Sequence, residues 1–204
     1  KPKNKARHKT SNQQQIINQV SNNIPVQISS KVKLISIGEV VYNREKYHST
    51  SYIYPVGYQI EKEYTSIENP SKNTIYRSSI LDGGESPLFR VECLDKTKMV
   101  FNGNTPSTPW RDVRSAIEES RKKFGLETTE HISISGPIAY ALSMPAITNL
   151  IERLPNAKLC SKYVFKKYFP DKEKGNVNKK NEYSDSETDE NNVIEEEEEE
   201  DEEE

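Results

Sequence analysis

The chain is short of the residues from which most enzyme sites are made. Its 204 residues include only two cysteines and three histidines. Cys93 and Cys160 stand alone rather than in a CxxC pair, which excludes a zinc ribbon or a vicinal dithiol and leaves buried free thiols as the plain reading. His8, His48 and His131 are scattered, with no HxxxH or HExxH and no acid at ligand spacing, so no zinc site is expected. A GxSxG elbow and a Walker loop are both missing, and Gly83-Gly84 precedes a strand-like run instead of a helix, which is wrong for a phosphate cradle. Pairing Cys160 with His131 as a nucleophile has less to recommend it than a core thiol. No apolar run approaches the roughly 18 residues of a membrane span, no signal-peptide pattern opens the chain, and the lone Asn-x-Ser site at Asn69 is blocked by Pro70. An intracellular protein without catalytic residues, cofactor, metal or membrane partner is the expectation.

What is present is unevenly spread. Only 32% of the residues are hydrophobic and 30% are charged, low for a wholly globular chain. The apolar residues gather between about Ile28 and Phe169, enough for one core. The net charge of -3 conceals a division: residues 181–204 hold 15 acidic and no basic residues, and removing those 15 from the total of 32 leaves 17 against 29 basic residues, a net of +12. The acidic end can cover the basic body or compete with phosphates for it.

Strand patterns come first. They cover Lys33–Tyr42 with a break at Gly38, Tyr58–Tyr64, Thr74–Leu81 and Leu88–Leu94, the last with Phe89, Val91 and Cys93 on one face. Asp82-Gly83 supplies the positive φ of a tight hairpin. After Phe101 the period becomes helical. Ser107 or Thr108 is expected to cap a helix with Pro109 in its first turn. Trp110, Val113, Ile117 and Phe124 form its apolar stripe, and Gly125 ends it in a left-handed cap. Further helices are expected over Pro137–Leu142 and Pro145–Leu154, the latter capped by Ser143 and stopped by Pro155, before a last strand over Tyr163–Tyr168. The strands alone would leave a sheet face bare, and the helices alone would cover nothing. The fold class is therefore α+β, a single composite domain with about three helices packed on an antiparallel sheet, between disordered tails.

Several short segments, taken in order, resemble a known family. Tyr54-Pro55-Val56-Gly57-Tyr58, Tyr76, Asp82-Gly83-Gly84 and Phe89 are similar to the FY-rich N-terminal module (FYRN). Trp110, Ser135-Gly136-Pro137, Pro145, Leu154-Pro155 and Cys160 are similar to the FY-rich C-terminal module (FYRC). Three positions depart from the second pattern: Ile138 stands for Glu, Ala141 for Gly, and Asn156 for Gly. The paired modules occur in trithorax and mixed-lineage-leukaemia methyltransferases, in some jumonji demethylases and in the transforming growth factor beta regulator 1 family, which the arrangement resembles most. Composition sets off a polar basic linker over 1–30 and a disordered acidic tail over 171–204, and the resemblance implies an N-terminal module over 31–94 and a C-terminal module over 95–170 completing the same fold. It implies a nuclear, chromatin-associated protein-interaction module in transcription or cell-cycle regulation, with nuclear or chromatin proteins as partners.

Three further features carry expectations. Seven of the 11 tyrosines fall between Tyr42 and Tyr76; strand periodicity assigns them to packing, and the competing reading is an aromatic cage for methyl-lysine. Arg114, Arg121, Lys122 and Lys123 lie off the helix's apolar stripe and motivate the alternative function, nucleic-acid binding with an autoinhibitory tail. Ser184, Ser186 and Thr188 lie among acids that suit an acid-directed kinase, and the tail that holds them could also face histones.

Overall fold

The computed structural model describes residues 24–128 and 134–166. Six strands, β1 (Val26–Ser29), β2 (Val32–Ser36), β3 (Gln59–Thr65), β4 (Asn73–Asp82), β5 (Pro87–Cys93) and β6 (Val100–Gly103), form one sheet in which every neighbour follows its neighbour in sequence. All five pairings are antiparallel. Three helices follow, α1 (Ser107–Lys123), α2 (Gly136–Ala139) and α3 (Pro145–Glu152). The architecture is α+β in one domain, as the order of periodicities implies.

Alternation sets the two faces of the sheet. In β5, Phe89, Val91 and Cys93 are buried while Leu88, Arg90 and Glu92 are only half-covered. Register carries the pattern across neighbours: Leu34, Ile60, Ser78 and Val91 line up on the inner face, as do Tyr76 and Cys93. Onto this face α1 lays Trp110, Val113 and Ile117, and α3 adds Ile147, Leu150 and Ile151, so that one hydrophobic cluster draws on both the sheet and the helices. At roughly 1.5–3 kcal/mol for each large apolar side chain fully buried, this shared interior is the main source of stability.

The structure alters several local expectations. β2 stops at Ser36 and not at Tyr42. Gly38 takes φ +74°, and a Cβ there would lie 2.5 Å from Tyr58 N and 2.6 Å from Val56 O. The chain therefore leaves the sheet at this crossing, makes an excursion over residues 37–58, and returns through a Glu39–Val56 bridge. The β4–β5 turn is a four-residue loop closed by the Asp82–Pro87 pair, with positive φ at Gly84 (+87°) and not at Gly83. None of Ser107, Thr108 and Ser143 caps its helix: the N-cap positions belong to Pro106 and Met144. Phe124 is 57% exposed, since it follows the last turn of α1 and points away from the stripe, while Gly125 does take the left-handed conformation. No strand forms over residues 163–166. There the Val164 amide donates to Thr50 O at 3.0 Å, and the Lys166 amide and the Tyr163 hydroxyl both donate to Glu152 Oε1, at 2.7 and 2.8 Å.

Candidate functional site

The signature residues converge on the seam between the sheet and the helices. Tyr58, just before β3, donates its hydroxyl to the main-chain carbonyl of Tyr140 at 2.8 Å. Tyr140, just after α2, donates to Arg90 O on β5 at 3.1 Å and sets its ring edge-on to Phe89 with centroids 5.5 Å apart. Trp110 of α1 donates its indole N–H to Ser78 Oγ of β4 at 3.1 Å, and its ring meets those of Tyr64 and Tyr76 at 5.4 and 5.6 Å. Each large ring thus buries its body in the core and sends its single polar atom to a fixed acceptor, the arrangement that makes a buried Tyr or Trp tolerable. Burial raises the hydroxyl pKa values of Tyr58, Tyr76 and Tyr140 well above the ordinary tyrosine value.

Six of the seven rings of the tyrosine-rich stretch are buried or half-buried, which is packing rather than an open cage, and Tyr42 is exposed. Tyr47, Tyr58 and Tyr76 are fully buried, Tyr76 donates to Thr65 O at 2.8 Å, and Tyr54 stands edge-on to Phe89 at 5.2 Å. Lysines of the chain itself approach two of the rings, Lys62 Nζ at 5.9 Å from the Trp110 centroid and Lys166 Nζ at 4.9 Å from that of Tyr52.

A second cluster fixes the excursion over 37–58. Arg44 meets Asp82 with both nitrogens, Nη1–Oδ1 at 2.7 Å and Nη2–Oδ2 at 2.9 Å, while its guanidinium lies 4.2 Å from the Tyr47 ring centroid. Arg44 also donates to Gly84 O. The Tyr47 hydroxyl donates to Asp82 Oδ1 at 2.9 Å and accepts from the Gly83 amide at 3.2 Å, and the Gly84 amide donates to the same carboxylate at 2.9 Å. Asp82-Gly83-Gly84 is therefore more than a turn: its carboxylate bolts the excursion to the β4–β5 loop. Bonding to Arg44, then to the Gly84 amide and the Tyr47 hydroxyl, holds the Asp82 carboxyl far below the usual carboxylate range. The sign follows from linkage. A depressed folded-state pKa stabilises the fold above the unfolded value near 4 and loses that contribution as pH falls through the folded one. Asp82→Asn should flatten the acid limb of the stability profile below about pH 4, measured as urea midpoints from pH 2 to 7; parallel profiles for the two proteins would contradict this.

The remaining signature positions have separate physical reasons. The Gly57 amide donates to Ile80 O at 2.8 Å with φ +86°. Gly136 is where α2 touches the start of α1: an added Cβ would collide with Ser107 N and Pro106 C, and the Gly136 amide donates to Ser107 Oγ at 3.1 Å. Pro137 and Pro145 occupy first-turn positions of their helices, where a missing N–H costs nothing. Leu154 is half-buried, Pro155 exposed and Cys160 buried; burial raises the Cys160 thiol pKa, the reverse of an activated nucleophile. Of the three departures, Ile138 is exposed, Asn156 takes φ +69°, which Asn tolerates, and Ala141 takes φ +57°. Relieving the left-handed strain at Ala141, about 1–2 kcal/mol, against the extra unfolded-state entropy of glycine, predicts that Ala141→Gly stabilises by about 0.5–1 kcal/mol; a lowered melting temperature would overturn this reading.

The four basic positions do not form one face. At about 100° per residue, Arg114 and Arg121 lie along one flank of α1 while Lys122 and Lys123 turn progressively away. Glu118, half-buried, and Glu119, exposed, lie between them in sequence, and the exposed Asp112 precedes them. Arg121 Nε donates to Glu127 O at 2.7 Å. Among the described residues no group of three His, Cys, Asp or Glu could hold a metal ion, and no helix is long and apolar enough to cross a membrane. Ser184, Ser186, Thr188, His131 and residues 1–23 of the basic linker lie outside the described residues, while Val26–Ser29, expected in that linker, form β1 of the sheet.

Sequence reasoning missed Arg44 and Ser78, and it gave Tyr47 only as a packed ring and Ser107 only as a helix cap, without their bonds to Asp82 and Gly136. Arg44 and Tyr47 stand in an irregular segment without period. Ser78 had a signal, a small polar residue in the inward register of β4, but its partner is 32 residues away.

Comparison with known proteins follows this geometry. Residues 23–83 match the family described as F/Y-rich N-terminus, and residues 86–168 match that described as F/Y rich C-terminus. The two matches meet at the β4–β5 turn, so β1–β4 fall in the first and β5, β6 and the helices in the second. The chain is 29% identical over 137 residues to the histone-lysine N-methyltransferase trr of Drosophila melanogaster, covering 65% of this chain and 6% of that protein. It is 27% identical over 143 residues to the histone-lysine N-methyltransferase TRX1 of Oryza sativa subsp. japonica, covering 68% and 14%. It is 29% identical over 133 residues to transforming growth factor beta regulator 1 of Rattus norvegicus, covering 65% and 32%. The matched region thus spans less than a third of each of these relatives.

Proposed function

Because the chain belongs to the F/Y-rich family, with the N-terminal and C-terminal regions of that family joined in one polypeptide, we propose that it is a non-catalytic protein-interaction module of a nuclear, chromatin-associated regulator acting in transcription or cell-cycle control. One observation carries this reading. The same stretch of about 135 residues recurs in proteins named as histone-lysine methyltransferases and in one named as a regulator, as a small share of each. A segment common to such different proteins does not supply the methyltransfer, and its packed tyrosines and raised thiol offer no nucleophile. What it offers is a rigid composite surface, for nuclear or chromatin proteins as partners, with histone contact through the acidic tail. Phosphorylation at Ser184, Ser186 or Thr188 would deepen the tail's negative charge.

The nucleic-acid alternative loses support from the acidic residues interleaved on α1. The test is a tagged full chain expressed in cells, followed by microscopy and by purification from nuclei. Nuclear signal with nucleosomes or transcription regulators recovered by the wild type, and not by a Trp110→Ala variant with a broken seam, is the expected result. Exclusion from the nucleus would contradict the proposal, and steeply salt-dependent DNA binding unaffected by Asp112 and Glu119 would revive the alternative.

A further inference from the structure

β6 is the last strand of the sheet, and among the described residues no strand lies beside its outer edge. The Cys93 amide donates to Met99 O at 2.9 Å, and Phe101 and Gly103 pair with Val91 and Phe89. In an antiparallel ladder the intervening residues face the other way, so Val100 and Asn102 present their N–H and C=O groups at the open edge. Such an edge is usually blunted by charge or proline, yet Met99-Val100-Phe101-Asn102-Gly103 has neither. A second, separate observation lies beside it. On the outer face of the sheet Ile75, Leu94 and Val100 are 40%, 42% and 48% exposed, and Leu94 is tied to Ile75 by a 2.9 Å backbone bond. An open edge next to an apolar corner is what an added strand requires.

We propose that the chain's own Asn192-Val193-Ile194-Glu195 segment adds to β6 as a seventh, antiparallel strand. Val193-Ile194 is the one adjacent apolar pair in residues 170–204, and both are β-branched. Adjacent strand residues point to opposite faces, so the pair would put one side chain beside Phe101 and the other on the outer face at Val100. Charge selects the direction. Lys96 and Lys98 stand at the start of β6, and an antiparallel segment delivers the acidic run from Glu195 onward to them; a parallel one carries it away. Reach is sufficient: 27 residues separate Lys166 from Val193, and a tether of that length with coil dimensions would span roughly 30 Å, of the same order as a domain with a radius of gyration of about 14 Å. Tethering at that length gives an effective concentration in the millimolar range, so weak pairing suffices. A second copy at the same edge is disfavoured, because four residues of strand fall well short of the roughly 1,200 Å² that a stable interface buries.

The test compares amide hydrogen exchange in the full chain and in the full-length variant V193S/I194S. Val100 and Asn102 amides should exchange about tenfold more slowly in the wild type, with Phe101, already bonded to β5, unchanged. A peptide of residues 188–204 added to the variant should restore slow exchange, and the same peptide with both serines should not. Equal rates in wild type and variant would overturn the proposal. So would slow exchange in both that weakens on dilution, which would assign the edge to a second copy.

Discussion

Replacing Trp110 by alanine should lower stability by about 3–5 kcal/mol, a large part of the roughly 5–15 kcal/mol that holds a domain folded. The indole is 2% exposed, touches both Tyr64 and Tyr76, and makes the hydrogen bond that satisfies Ser78 on a strand of the first half. Its removal opens a cavity at the seam and strands a buried hydroxyl at once. Trp110→Phe separates the two effects. It keeps most of the ring and drops the N–H, so it should cost about 1–2 kcal/mol. Urea denaturation followed by tyrosine fluorescence and far-ultraviolet circular dichroism gives both numbers. A Trp110→Ala protein within about 1 kcal/mol of wild type would mean that the helices contribute little to the fold.

Gly136→Ala is the second large effect, of about 2–3 kcal/mol. The new Cβ would meet main-chain atoms of Pro106 and Ser107, not the tip of a mobile side chain. Only displacement of α1 relieves the overlap, and Trp110 lies three residues further along that helix. Gly84→Ala is the control. It has φ +87° but nothing within 4 Å of the added atom, so it should cost only the left-handed penalty of about 1–2 kcal/mol. Equal losses at the two sites would show that steric approach at Gly136 plays no part.

These residues also show what a sequence discloses. Phe89, Val91 and Cys93 announced their inward face because a strand repeats every two residues, and Trp110, Val113 and Ile117 announced theirs at helical spacing. The choice of one domain over two followed from faces that neither half could cover alone. Gly136 and Trp110 stand at positions of the family pattern, but their reasons, a helix–helix contact and a bond to Ser78, depend on partners distant in sequence. Val40 and Val41 suit a strand, so the pattern over Lys33–Tyr42 runs into the excursion over 37–58. The sharp crossing at Gly38, where the backbone meets Tyr58 and Val56, ends the strand first. Arg44 and the bond from Tyr47 to Asp82 are illegible for the same reason: an irregular segment has no period, and Asp82 is 38 residues from Arg44.

The central claim is that the two family regions are halves of one interior, joined through the seven-pair ladder between β4 and β5. The most direct measurement divides the chain at the β4–β5 loop into residues 1–85 and 86–204. Each piece alone should lack near-ultraviolet circular dichroism and a cooperative melt, and an equimolar mixture should recover both. Cooperative unfolding by either piece in isolation would contradict the account.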